Sequence, residues 1–221
     1  RGQVEAPEKV GRLRVRPQRI FRTRAEKLAG LVNQVQELHR RGLPVLVGTR
    51  RILDSEEIAY VLRERGLSCE VINAKEHETE ARVVALAGQR GAITVATNMA
   101  GRGTDIGISQ DIEAIGGLQV LMFEAHESPR IDWQLFGRAG RQGAKGSAQA
   151  FISLEEELIT RFSPSWMKLF SKLIPNILTG SKIKMLQWIS QRNASRIAKR
   201  QRRHLAYMQK ELREQLGFSK G

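Results

Sequence analysis

The chain has 221 residues, enough for one compact α/β domain and an appendage. Its single cysteine, Cys69, excludes an intrachain disulfide framework and a cysteine-cluster zinc site, and no apolar run approaches the roughly 20 residues of a membrane-spanning helix. The formal charge of +14 is unevenly spread: residues 1–24 carry 8 basic and 2 acidic side chains, residues 182–221 carry 11 and 2, and the centre is nearly neutral. Attraction to anions therefore belongs to the two ends, either as a binding surface or as a solvated helix face. With Arg1 in place of an initiating Met, the chain reads as a soluble piece of something longer.

In chain order, Leu28, Leu31, Val32, Val35 and Leu38 recur at spacings of three and four, which predicts an amphipathic helix over Thr23–Arg41 ended by Gly42. Val45–Gly48 is a short buried-strand pattern, followed by a helix from near Asp54 to Gly66 with Asp54 or Ser55 as its cap. Then come a strand at Cys69–Ile72, a helix at His77–Ala87, strands at Ala92–Ala96 and Leu118–Phe123, a helix at Pro129–Arg138 and a strand at Ser147–Ser153. Strands alternating with helices predict a mainly parallel sheet covered on both faces. After Pro164 a short apolar segment, Trp166–Ile174, precedes an uninterrupted stretch from Ser181 to Leu216, expected as one long basic helix. The organisation expected is a basic linker over 1–22, a structured α/β lobe over 23–162 and a helical basic tail over 163–221.

Two stretches use glycine and arginine beyond what a fold requires. The first, Thr97-Asn98-Met99-Ala100-Gly101-Arg102-Gly103-Thr104-Asp105-Ile106, follows the strand ending at Ala96 and is expected at a carboxyl end of the sheet, where ligands of open α/β sheets bind. Its glycines let backbone approach a phosphate or ribose, and Asp105 offers a carboxylate to a ribose hydroxyl. A plain turn accounts for the two glycines but not for Arg102, Thr104 and Asp105 around them. In the second, Gln134-Leu135-Phe136-Gly137-Arg138-Ala139-Gly140-Arg141-Gln142-Gly143, Arg138 and Arg141 lie three apart with small residues beside them. Two such guanidinium groups suit a γ-phosphate, and fingers of this kind contribute on the order of 10³ to 10⁵ in turnover. His126 beside Glu127 has no second ligand at metal spacing, which favours a hydrogen-bonding role.

The pairing of these stretches resembles motifs V and VI of superfamily 2 helicase-type motors, and the ordered set of strings from Pro44 to Glu156 resembles the SecA family, the ATPase subunit of preprotein translocase. Those strings are Pro44–Thr49, Asn73–Lys75 with His77, Thr97–Ile106, Gly116–Leu118, His126–Ser128, Arg130–Asp132 and Gln134-Leu135. The Gly-Arg-x-Gly-Arg core alone is shared with DEAD-box helicases, whereas the full first string is far more specific.

The resemblance implies a RecA-like second motor lobe plus part of a helical scaffold. It assigns Arg138 and Arg141 as catalytic, and Gly101, Arg102, Gly103, Thr104, Asp105 and Gln134 as nucleotide contacts. ATP and Mg²⁺ would be held mainly by a first lobe, since no Gly-x-x-x-x-Gly-Lys-[Ser/Thr] string occurs here; the piece alone is expected to be inactive. The implied partners are that first lobe, a SecYEG-type channel, preprotein and an acidic phospholipid surface, with the protein cytoplasmic and peripheral at the inner face of the bacterial plasma membrane.

Three departures point to a divergent SecA-like paralogue: a short Asp105–Gly116 connection, Phe136 in place of an arginine, and Leu205–Met208 in place of an acidic segment. Two other readings stay open. One is the second lobe of an RNA or DNA helicase, against which the scarcity of aromatics counts. The other is a non-enzymatic basic scaffold.

Overall fold

The computed structural model describes residues 13–72, 84–97, 105–157, 189 and 191–193. The chain divides into two compact units, Arg1–Glu156 and Glu157–Gly221. In the second unit the described residues, Glu157, Ile189 and Gln191–Asn193, are helical. The segment Trp166–Ile174 and most of the stretch Ser181–Leu216 lie outside the described residues, as do residues 73–83 and 98–104. No described helix is long and apolar enough to cross a membrane.

The first unit is built on a parallel sheet. Its described elements are β1 (Leu13–Val15), β2 (Arg19–Phe21), α1 (Arg24–Arg40), β3 (Val45–Thr49), α2 (Ile52–Glu64), β4 (Glu70–Ile72), β5 (Ile93–Thr97), α3 (Gln110–Ile115), β6 (Leu118–Met122), α4 (Pro129–Phe136) and β7 (Gly146–Ser153). The strand order is β1-β7-β6-β3-β5-β4, with β2 also on β7, and every pairing is parallel.

Each face of the sheet is covered, which is why β3, β5 and β6 are buried along their whole length and read as largely apolar runs. Val45, Val47, Val95, Leu121, Phe123 and Phe151 form one core with Leu31, Val32, Val35 and Leu38 of α1 and Ile58 and Leu62 of α2. Residues of opposite parity serve the other face, where a side chain on Gly48 would fall on the methyl groups of Leu135 from α4.

The edge strands β1 and β2 are absent from the pattern reading, because their arginines and Pro17 hide a period of two. They run along β7 one after the other, Leu13 opposite Gly146 and Arg19 opposite Phe151, with one extra residue between them. That extra residue is a bulge, and it falls where Pro17 has no N–H to donate.

The start of α2 corrects an expectation. The helix begins at Ile52 with Arg51 as N-cap and no side-chain cap bond. Asp54 is buried inside the first turn, accepting from Arg51 Nε and Nη2 at 2.9 Å each and from Arg24 Nη2 at 2.8 Å, while Ser55 Oγ donates to Ile52 O. The two arginines satisfy the carboxylate that sequence alone assigns to capping. The helix expected over Pro129–Arg138 ends at Phe136, and α3 forms in what reads as a plain connection.

Candidate functional site

Phe123, Glu124, Ala125 and His126 form the loop that leaves the carboxyl end of β6, and all four are buried. The chain turns at Ser128 and Pro129 into α4, with proline at the first helical position where no N–H is needed. Asp132 in the first turn is buried and accepts twice through Oδ1, from His126 N–H at 2.9 Å and in a 2.6 Å contact with His126 Nδ1. A carboxylate there also meets the positive end of the helix. His126 thus has the hydrogen-bonding role expected of it. Asp132 belongs to one of the strings that carry the family resemblance but had no role assigned from sequence; its signal is an aspartate three residues into a proline-started helix, six after a histidine.

From the first turn α4 runs back over the sheet. Leu135 fills the notch at Gly48, and Trp133 and Phe136 meet edge to face at 5.9 Å. Gln134 is exposed. The helix closes at Gly137, Arg138 is half-buried, and the carbonyl of Ala139 lies where a side chain on Gly146 would stand. Arg141 opens a 3₁₀ turn over Arg141–Gly143, and its Nη1 lies 3.8 Å from Asp105 Oδ1. Both side chains of this pair remain more than a third exposed, at 38% and 37%.

The first glycine-rich stretch starts at the carboxyl edge of the sheet with Thr97, and residues 98–104 lie outside the described residues. By Gly107 the backbone lies against Gly88, in the loop that feeds the start of β5. Arg141 comes to the same side because Ala139 and Lys145 flank Gly146, the first residue of β7. Gly117 closes this side: at φ 68° it adopts a conformation suited to glycine, with the carbonyl of Lys145 where a Cβ would be. Of the site residues expected from sequence, Asp105, Gln134, Arg138 and Arg141 are described, and Gly101, Arg102, Gly103 and Thr104 lie outside the described residues.

The carboxyl edge itself carries a network of ion pairs. Arg24 pairs with Asp54 at 2.8 Å and with Glu57, and its main-chain N–H donates to Glu155 at 2.7 Å. Arg51 pairs with Asp54 and lies 4.0 Å from Glu124, and Arg50 lies 4.0 Å from Glu127. Burial pulls the Asp54 carboxyl upward, but hydrogen bonds from Arg51 and Arg24 outweigh it and hold Asp54 below the ordinary carboxylate range. Deeper in, Lys27 is fully buried, 2.9 Å from Glu156 Oε1 and 4.0 Å from the centre of the Phe123 ring. Burial pushes Glu156 up to about 7, against the pull of Lys27 and the Ser153 N–H. Cys69 is buried, and burial raises its thiol. Among the described residues no group of His, Cys, Asp and Glu is arranged to hold a metal ion.

A family model described as the SecA P-loop domain matches residues 13–115 and 107–174. The chain belongs to the SecA family. It is 42% identical over 203 residues to Protein translocase subunit SecA 2 of Nitrosospira multiformis, an alignment covering 91% of this chain and 30% of that protein. It is 46% identical over 166 residues to Protein translocase subunit SecA of Caldicellulosiruptor saccharolyticus, covering 75% and 20%. With Protein translocase subunit SecA of Oleidesulfovibrio alaskensis it shares 52% over 146 residues, covering 66% and 17%. The chain therefore spans less than a third of the length of these relatives.

Among solved structures, the DEAD-box protein SrmB of E. coli, crystallised with the regulator of ribonuclease activity A, is similar at TM-score 0.52 and 22% identity, covering 68% of this chain and 82% of that one. The yeast DEAD-box splicing factor Prp28 is similar at TM-score 0.55 and 19% identity, covering 84% and 38%. These likenesses carry the fold alone, which is RecA-like.

Proposed function

We propose that this chain is the second motor lobe, with a basic helical tail, of a SecA-like ATPase that couples ATP hydrolysis to preprotein translocation. The observation that carries the reading is the approach of Arg141 to Asp105 in a SecA-family chain, with both side chains still partly open to solvent. At 3.8 Å the guanidinium and the carboxylate are near enough to meet one nucleotide together, the arginine at a phosphate and the aspartate at a ribose hydroxyl. Arg138 and Gly137 are partly exposed, so another surface can come close there.

In this reading a first lobe of the same protein cradles ATP and Mg²⁺. Asp105 offers its carboxylate to the ribose, Gln134 and the stretch Gly101–Thr104 flank the nucleotide, and Arg138 and Arg141 direct guanidinium donors at the γ-phosphate. Charge develops on the transferring phosphoryl group, so the arginines contribute most in the transition state. The lobe runs to about residue 162 and takes in β1 and β2 ahead of residue 23, since both strands pair with β7 where a linker over 1–22 was expected; the tail over 163–221 follows. Preprotein, a SecYEG-type channel and an acidic phospholipid surface are the partners, at the cytoplasmic face of the bacterial plasma membrane.

A nucleic-acid helicase is disfavoured by the carboxyl edge, where Arg24, Arg50 and Arg51 lie against Asp54, Glu57, Glu124 and Glu127. A nucleic-acid phosphate binding there would compete with carboxylates. ATP turnover of the intact protein decides the matter: stimulation by preprotein with channel-bearing membranes is expected. Stimulation by RNA or DNA in their place would overturn the assignment.

A further inference from the structure

The arginines at 138 and 141 sit beyond the end of a helix of eight residues, and their aim depends on how that helix is held. Two contacts set it. Leu135 against Gly48 fixes its height over the sheet, and Asp132 with His126 fixes its rotation at the first turn. The second contact is unusually directional, because one carboxylate oxygen accepts from both the main chain and the ring of the same residue. His126 is buried in the loop that leaves β6, four residues beyond the end of the strand, so Asp132 ties the helix to the buried exit of that strand. Ser128, the N-cap, makes no side-chain cap bond, which leaves this turn without that alternative tether.

We propose that Asp132 and His126 are a positioning pair: they hold the helix so that Arg138 and Arg141 meet the γ-phosphate, without touching the nucleotide themselves. This rests on the motor reading above. A displacement of about 1 Å at a reacting centre costs on the order of 10²-fold in rate, so loosening the first turn is felt at the arginines two turns away. The ground-state affinity for ATP, set largely by the phosphate cradle of the other lobe, is barely touched.

The test uses the intact protein and four variants at the pair, D132A, D132N, H126A and H126N, with R141A as the control. Asparagine at 132 keeps an acceptor oxygen for both contacts, and asparagine at 126 keeps a side-chain donor in place of Nδ1. D132A and H126A are expected to lower kcat by about 10- to 100-fold with KM for ATP within about threefold, and both asparagine variants to recover most of it. Melting temperature is recorded for each, and where D132A fails to fold the H126A and H126N pair is read by itself. Equal losses in the alanine and asparagine variants, or losses that follow melting temperature alone, would overturn the proposal. So would full activity in D132A while R141A is crippled, which leaves the motor reading standing. Full activity in R141A removes the motor reading and this inference together.

Discussion

Leu135 occupies the space that a side chain on Gly48 would need, so α4 can lie close over β3 only because residue 48 has none. Gly48→Ala should force Leu135 off its position and destabilise the chain by about 1–3 kcal/mol. Leu135→Ala should cost about 2–5 kcal/mol through the cavity it leaves. In the double variant the methyl group introduced at position 48 partly fills that cavity, so the two losses should fall short of additivity. Urea unfolding of all three variants measures this.

Two of the buried carboxylates at the carboxyl edge, Glu156 and Asp54, respond to pH with opposite signs. Glu156 is pushed by burial from its ordinary 4.5 to about 7, so the folded chain holds that proton more tightly than the unfolded one. Its contribution is therefore fully present below 4.5 and is lost as pH rises through 7, a fall on the order of 1–3 kcal/mol. Glu156→Gln imitates the protonated form and should flatten this part of the stability curve, at a stability lowered throughout because the buried Lys27 loses its counter-charge. Denaturant midpoints at pH 5, 6, 7 and 8 test it.

Asp54 behaves the other way. Arg51 and Arg24 hold it below its ordinary 3.8 despite burial, so its contribution is present above that value and is lost as pH falls through the folded one. Asp54→Asn should cost about 1–3 kcal/mol at pH 7, toward the lower end because Arg51 is half exposed and screened by solvent. The difference from the parent chain should shrink in acid, and thermal unfolding at pH 7 and pH 3 shows whether it does.

What the sequence made legible follows from burial. Strands covered on both faces are mostly apolar, which makes β3, β5 and β6 visible despite Thr94 and Gln119, and α1 shows its stripe because one side meets the core. Residues whose meaning depends on a distant partner were hidden. Lys27 reads as a solvated position in α1 but is fully buried, because Glu156 and Phe123 wait for it more than 90 residues away. Asp54 reads as a cap because its arginine partners lie on a preceding turn and on another helix. The close approach of Gly107 to Gly88, two residues after Asp105, has no signal in the sequence beyond the two glycines. The motif residues were found by composition; the pairing of Arg141 with Asp105 needed the fold.

The account turns on Arg141 acting when charge builds on a phosphate. The most direct measurement is the single-turnover rate of ATP hydrolysis by the intact protein carrying Arg141→Ala, set beside its equilibrium affinity for ATP. A rate lowered by about 10³-fold with affinity within about threefold is the predicted result. Equal losses in rate and affinity, or no loss in either, would contradict it.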